Sequence, residues 1–238
     1  MKNNETRENQ TIEKKTFHSN WYMGIVALFI TTLITANIIS VKLVSIFCLV
    51  LPAGILVFPL SYIIGDVLTE VYGYSSTRRV IWLGFFCNFI AVIAIVLAQG
   101  MPSAPFWDGQ QAFEKILGYA PRLLAASFLA YLAGEFFNAY ILARMKILTR
   151  GKWLWSRTIS STLVGQAVDS LVFITLAFAG SMPVRALAVT IIIQWLSKSA
   201  YEAAATPLTY VAVIFLKRKE RMDVYDHNTH FNPFRMGT

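Results

Sequence analysis

Residues 54–73 read GILVFPLSYIIGDVLTEVYG, a run of the length and apolarity that a membrane-spanning helix needs. Yet Asp66 and Glu70 lie inside it. Ionisable groups at membrane depth cost several kcal/mol, in order of magnitude, unless they pair, protonate or line a wet cavity. Tyr62, Asp66 and Glu70 recur every four residues and so project from one helical face. The stretch therefore reads as a spanning helix with an acidic stripe, and it sets both the fold class and the place to look for function.

The rest of the chain agrees. Of 238 residues, 56% are hydrophobic and only 14% charged, the balance of an all-α polytopic membrane protein. Apolar segments at 22–41, 54–73, 80–99, 122–144, 159–179 and 187–216 predict six transmembrane helices. The last is long for one upright span, so it is tilted or begins at the interface, with Pro207 adding a bend. This divides the chain into a polar N-terminal tail (1–20), a six-helix domain (21–216) and a C-terminal tail (217–238). The stretch 42–54 is too short to cross and too apolar for a free loop; it reads either as a re-entrant or interfacial hairpin or as an ordinary apolar loop before a kinked helix. Between spans three and four, 110–117 has the pattern of an interfacial amphipathic helix.

Basic residues orient the bundle. Sixteen of the twenty-one Lys and Arg lie in the N-terminus, at Arg78 and Arg79, in 144–157 and in the C-terminal tail, which predicts both termini in the cytoplasm. Trp21, Trp82, Trp153 and Trp155 flank the same boundaries, where an indole ring is buried while its N–H stays wet. The net charge of +8 is then explained by topology and anionic lipid, with no nucleic-acid partner. The tail around Phe231 to Phe234 is expected to pack back on the cytoplasmic face.

Several chemistries drop out. His18, His227 and His230 all lie in the tails, so the bundle holds no base for a Ser/His protease. The two cysteines, Cys48 and Cys87, sit in apolar surroundings that suit neither a metal nor a redox role. Gly151-Lys152 lacks the upstream glycine of a phosphate-binding loop, since Lys146 stands there. An intramembrane aspartyl protease would want glycine where Ile63 stands. No cofactor, metal or catalytic residue is expected.

What remains is a polar centre. Tyr131, Glu135 and Asn138 share a face of span four; Thr162, Gln166, Asp169 and Phe173 share one in span five; Gln194, Lys198 and Glu202 share one in span six. Interhelical hydrogen bonding accounts for Asn88, Asn138 and Gln194 as well as a ligand would. Lys198 and Glu202, at i and i+4, form an internal ion pair on spacing alone, leaving Asp66, Glu135 and Asp169 without an obvious cation. Burial favours their protonated forms. Such surplus acid suits a cation, a proton or a ligand rich in hydrogen-bond donors. Gly65-Asp66 and Gly165-Gln166-Asp169, a hundred residues apart in antiparallel spans, hint at an inverted repeat, a spacing that chance also gives.

The runs Ala36 to Lys42, Leu51 to Gly54, Phe58 to Leu60, and above all Gly65-Asp66-Val67-Leu68-Thr69-Glu70-Val71-Tyr72-Gly73 followed by Arg78, resemble the queuosine precursor transporter family. Gly165 to Ser170 and Phe231-Asn232-Pro233-Phe234 fit the same pattern, so the likeness spans nearly all of the chain after residue 20. The resemblance implies uptake, across a bacterial inner membrane, of 7-cyano-7-deazaguanine, 7-aminomethyl-7-deazaguanine or queuine for tRNA modification. A deazaguanine presents a ring N–H beside an exocyclic amine, which one carboxylate can accept together. Asp66, Glu70 or Asp169 would do this, with Gln166 or Asn138 donating to the ring carbonyl and a second acid pairing with the aminomethyl cation; Glu135 and Glu202 belong to the same expected substrate site. Tyr62, Tyr131, Phe173 or Trp195 would stack on the base, and Lys198 completes the expected site. A proton gradient, intracellular trapping or a partner ATPase would supply the energy; the last would make the chain the substrate-binding subunit of a multi-component importer. The sequence leaves a homo-oligomer open.

Overall fold

A computed structural model describes residues 19–46, 49–118, 121–227 and 229–234. The chain is helical apart from one small hairpin. Helix α1 (Asn20–Ile39) leads to strands β1 (Leu43–Ile46) and β2 (Leu49–Pro52), a 3-10 turn (Ala53–Leu56), and helices α2 (Phe58–Gly100), α3 (Gln110–Leu117), α4 (Pro121–Leu148), α5 (Leu154–Phe178) and α6 (Val184–Glu220). Five of these, α1, α2, α4, α5 and α6, are long and apolar enough to cross a membrane.

The expected second and third spans are continuous within α2, with no loop between them. The helix is broken at one residue, Gly73, whose φ of 81° and ψ of 166° belong to a region that only glycine enters without strain. The two arms fold back on each other. Thr69 donates to Thr77 at 3.2 Å, whereas eight residues of straight helix would separate them by about 12 Å. A Cβ at Gly65 would lie 4.0 Å from the Phe29 ring and one at Gly84 would lie 3.0 Å from it, so both arms meet α1 at the same height. The C-terminal tail fills the bend: Asp226 accepts from the backbone N–H of Tyr74 at 3.0 Å, and a Cβ at Gly73 would come within 2.8 Å of Val224.

Helices α4 and α5 approach through Gly134 and Gly165, where a Cβ on either would come within 3.0 Å of the opposing Asp169 or Asn138 side chain. This small-residue contact lets two polar faces meet backbone to backbone. The bundle is closed end to end by Ser19, which caps α1 by accepting from the Tyr22 N–H and donates to Glu220 at the far end of α6 at 2.6 Å. The start of α1 and the finish of α6 thus share one end of the bundle.

The stretch after α1 is an antiparallel hairpin, with Leu43 opposite Pro52 and Ile46 opposite Leu49. Pairing satisfies the inward-facing half of its backbone groups, which lowers the cost of so apolar a connection. The tail packs back as its composition suggested. Arg78 donates to the carbonyls of His230 and Asn232, Trp82 donates to that of Pro233, and the Phe231 ring packs against Tyr74 and Tyr140. Helix α3 has no buried residue and is tied to α2 by Gln110, which donates to the Gln99 carbonyl. Pro207 lies within α6 without ending it.

Gly73→Ala should lower stability by about 1–3 kcal/mol for the backbone alone, plus the clash with Val224. Thermal unfolding of the purified protein in detergent should show a lower midpoint, and adding Val224→Ala should recover only the steric part.

Candidate functional site

The bundle carries two separate polar systems, and the expected site residues divide between them. The first gathers around Glu70 of α2, at the end shared by Ser19 and Glu220. Arg157 of α5 and Lys217 of α6 each reach its Oε1 at 2.7 Å, and Lys146 of α4 lies 3.8 Å away. Lys146 also donates to the Glu70 and Val224 carbonyls at 2.5 and 2.6 Å and pairs with Asp223 at 2.6 Å. Glu70, Lys146 and Arg157 are buried. Burial would raise the Asp223 carboxyl, but hydrogen bonds from Lys146 and Lys217 outweigh it and hold the group below the usual carboxylate range. Asp226 goes the other way: burial lifts it, against the opposing hydrogen bonds from Tyr74 and Thr229.

Glu70 is thus paired with three cations and lies outside the cavity wall. Its charge is matched by cations that the sequence placed in loops as topology signals. Lys146 and Arg157 lie near helix ends and long side chains let them turn inward.

The second system surrounds a cavity of about 450 Å³, a size in the usual range of ~300–1,000 Å³ for small-molecule sites. Its wall includes Asn37 and Ser40 from the last turn of α1, Thr190 and Gln194 from the early turns of α6, and Phe173 from late α5. These all lie away from the Glu70 end. Of the expected residues, Tyr62, Gln166, Asp169, Lys198 and Glu202 line it, together with Tyr131 and Phe173. Gln166 donates to Glu202 at 3.0 Å, leaving Glu202 Oε1 buried with no hydrogen-bond partner. The salt bridge from Lys198 runs across helices to Asp169, not along its own helix to Glu202 as the spacing suggested. On its other side Asp169 packs directly on α4, where Gly134 offers no side chain to clear.

Asp66, Glu135 and Asn138 are buried but do not line the cavity. Asn138 donates to Asp66 at 2.8 Å, and Glu135 lies against Gly65. Trp195 is also outside the wall; its indole N–H donates to the Leu163 carbonyl on α5.

The sequence reading missed Tyr201 and undervalued Asn37, Asn88 and Gln194, all of which line the cavity. Tyr201 was legible in principle, three residues beyond Lys198 on the same face. Asn37 was visible only as one amide in an apolar span.

Chemically the wall combines a carboxylate with an open acceptor, an amide, an ion pair and several aromatic rings. It suits a flat ligand with donors along one edge. Among the described residues no group of three or more His, Cys, Asp or Glu could hold a metal ion.

Residues 52–212 match the protein family described as "Putative vitamin uptake transporter". Similar curated relatives include the "Probable queuosine precursor transporter" of Bacillus subtilis (strain 168), 28% identical over 84% of this chain and 87% of the relative. The "Queuosine precursor transporter" of Escherichia coli (strain K12) is 28% identical over 52% of this chain and 54% of its own. The "Probable queuosine precursor transporter" of Haemophilus influenzae (strain ATCC 51907 / DSM 11121 / KW20 / Rd) is 26% identical over 52% and 51%. No solved structure matches. The chain belongs to this family of transporters and is a multi-pass membrane protein.

Glu70→Gln should sharply reduce the yield of folded protein, because removing one partner of a buried ion pair costs about 3–5 kcal/mol. Size-exclusion chromatography of membrane extracts would register it as loss of the monodisperse peak. Trp195→Phe should leave both the peak and ligand binding unchanged.

Proposed function

We propose that this chain imports queuosine precursors, 7-cyano-7-deazaguanine and 7-aminomethyl-7-deazaguanine with queuine as a further candidate, across the bacterial inner membrane. The relatives' names support the substrate class, and the cavity's chemistry supports the base. The observation that carries the reading is the open oxygen of Glu202 in a wall of aromatic rings. Glu202 accepts the ring N–H and the exocyclic amine together, as a carboxylate can. Asp169, now shared with Lys198, meets the aminomethyl cation, while Gln194 or Asn88 donates to the ring carbonyl. Tyr131 or Phe173 stacks on the base, at about 1–3 kcal/mol.

The chain crosses six times with both termini inside. The reversal at Gly73 supports two crossings within α2, and the concentration of Lys and Arg at the Ser19–Glu220 end supports a cytoplasmic assignment for that end. On this orientation the cavity faces outward and the Glu70 cluster closes the inner side. A substrate-capture subunit served by an ATPase is not favoured, since the three relatives are named as transporters in their own right.

Cells that cannot make the precursor and lack their own importer should regain queuosine-tRNA when this chain is expressed and 7-cyano-7-deazaguanine is supplied. Glu202→Gln should reduce uptake about tenfold or more, the worth of a hydrogen bond to a charged group. Asp169→Asn should weaken uptake of the aminomethyl compound more than that of the cyano compound. Normal uptake of both by both variants would reject this site.

A further inference from the structure

Beside the residues that meet the ligand lie Asp66, Glu135 and Asn138, buried but outside the cavity wall. Asp66, Glu135, Asp169 and Glu202 are all buried, and each except Glu135 has a donor: Asn138 for Asp66, Lys198 for Asp169 and Gln166 for Glu202. Among the described residues no salt bridge reaches Glu135, and its Oε1 has no hydrogen-bond partner. The two amides repeat the pattern. Asn138 and Gln166 use their N–H groups on carboxylates and leave Oδ1 and Oε1 without partners, both side chains being about 98% buried or more. Across these five residues the unmatched atoms, including Asp66 Oδ2 and Glu202 Oε1, are all acceptors. Among these carboxyl and amide groups the unmet demand is for hydrogen.

We propose, resting on the import reading above, that Glu135 is a proton-binding site that couples substrate uptake to a proton gradient. The groups facing it are Asp66 of α2, Asp169 of α5 and Glu202 of α6, with the hydroxyls of Tyr131 on its own helix and Tyr62 on α2 nearby. Glu70 faces Asp66 from one turn away but is held by its own cations, and Lys198 is the ammonium on this side, paired with Asp169. Gly65 gives the Glu135 carboxyl its room, since a Cβ there would stand 3.2 Å from Oε2. A proton arriving from the outer side forms an O–H bond on Glu135 and removes a negative neighbour from Glu202 and Asp169. Those two then stay ionised to hold a donor-rich or cationic ligand. Release of the proton to the inner side restores the repulsion and weakens the hold, so the two ligands favour each other's binding, as linkage requires.

The test uses the full chain in proteoliposomes with radiolabelled 7-cyano-7-deazaguanine. Exchange of label at equal pH reads substrate handling; accumulation under an inward proton gradient reads coupling. Wild type should do both, with a protonophore abolishing accumulation only. Glu135→Gln, which imitates the protonated acid, should keep exchange and lose accumulation. Glu135→Asp, which keeps the titrating group, should restore part of it. Accumulation by Glu135→Gln at the wild-type level, or wild-type accumulation indifferent to the protonophore, overturns the proposal. Absence of exchange in wild type would count against the import reading instead. The proton site is then read without substrate, by infrared spectroscopy at neutral pH: a carboxylic-acid carbonyl band missing from Glu135→Gln supports it, and the same band in both overturns it.

Discussion

A single carboxylate organises one end of this molecule. Glu70 of α2 is met by Arg157 of α5, Lys217 of α6 and Lys146 of α4, and Asp223 of the tail joins the two lysines from outside. Four helices and the tail are thus joined by one charge cluster, of which Glu70, Lys146 and Arg157 are buried and Lys217 and Asp223 reach solvent. Removing one partner of such a buried cluster is far more damaging than the pairing itself is stabilising, because the others are left uncompensated. That asymmetry makes the cluster a strict geometric constraint.

The constraint has a consequence at the other end. With α2, α4, α5 and α6 tied at the Glu70 layer, their polar faces stay together along the axis, and among the described residues Lys198 is the cation that lines the cavity. Space for a ligand opens there, among Tyr62, Tyr131, Gln166, Asp169, Phe173 and Glu202. The Gly73 reversal serves the same arrangement, since it brings Asn88 of the second arm of α2 to the cavity that Tyr62 of the first arm lines. The Gly134–Gly165 contact brings Asp169 near Asn138 and the acids behind the wall.

Much of this was legible in residue spacing. The helical stripes through Asp66, Glu135, Asp169 and Glu202 located the polar centre, because a period of four on an apolar helix has few other uses. The charge in Lys146 and Arg157 was misread for a physical reason: sequence counts a basic residue near a span as a topology signal, and cannot see that its long side chain turns inward to a glutamate on another helix. The same blindness paired Lys198 with Glu202 on its own helix, when the partner is Asp169 across the α5–α6 contact. The helical hairpin at Gly73 was expected as a loop because a reversal within one residue leaves no polar segment to mark it. Trp195 carried the signature of a stacking residue, yet only three dimensions show its N–H held by Leu163.

The most direct measurement is an experimental structure of the protein in a lipid environment with 7-cyano-7-deazaguanine bound. The account predicts ligand density in the cavity, its ring edge against Glu202 and its face against Tyr131 or Phe173, with Glu70 still clasped by Arg157 and Lys217. Density elsewhere, or a bound base contacting Glu70 in place of those cations, would contradict it.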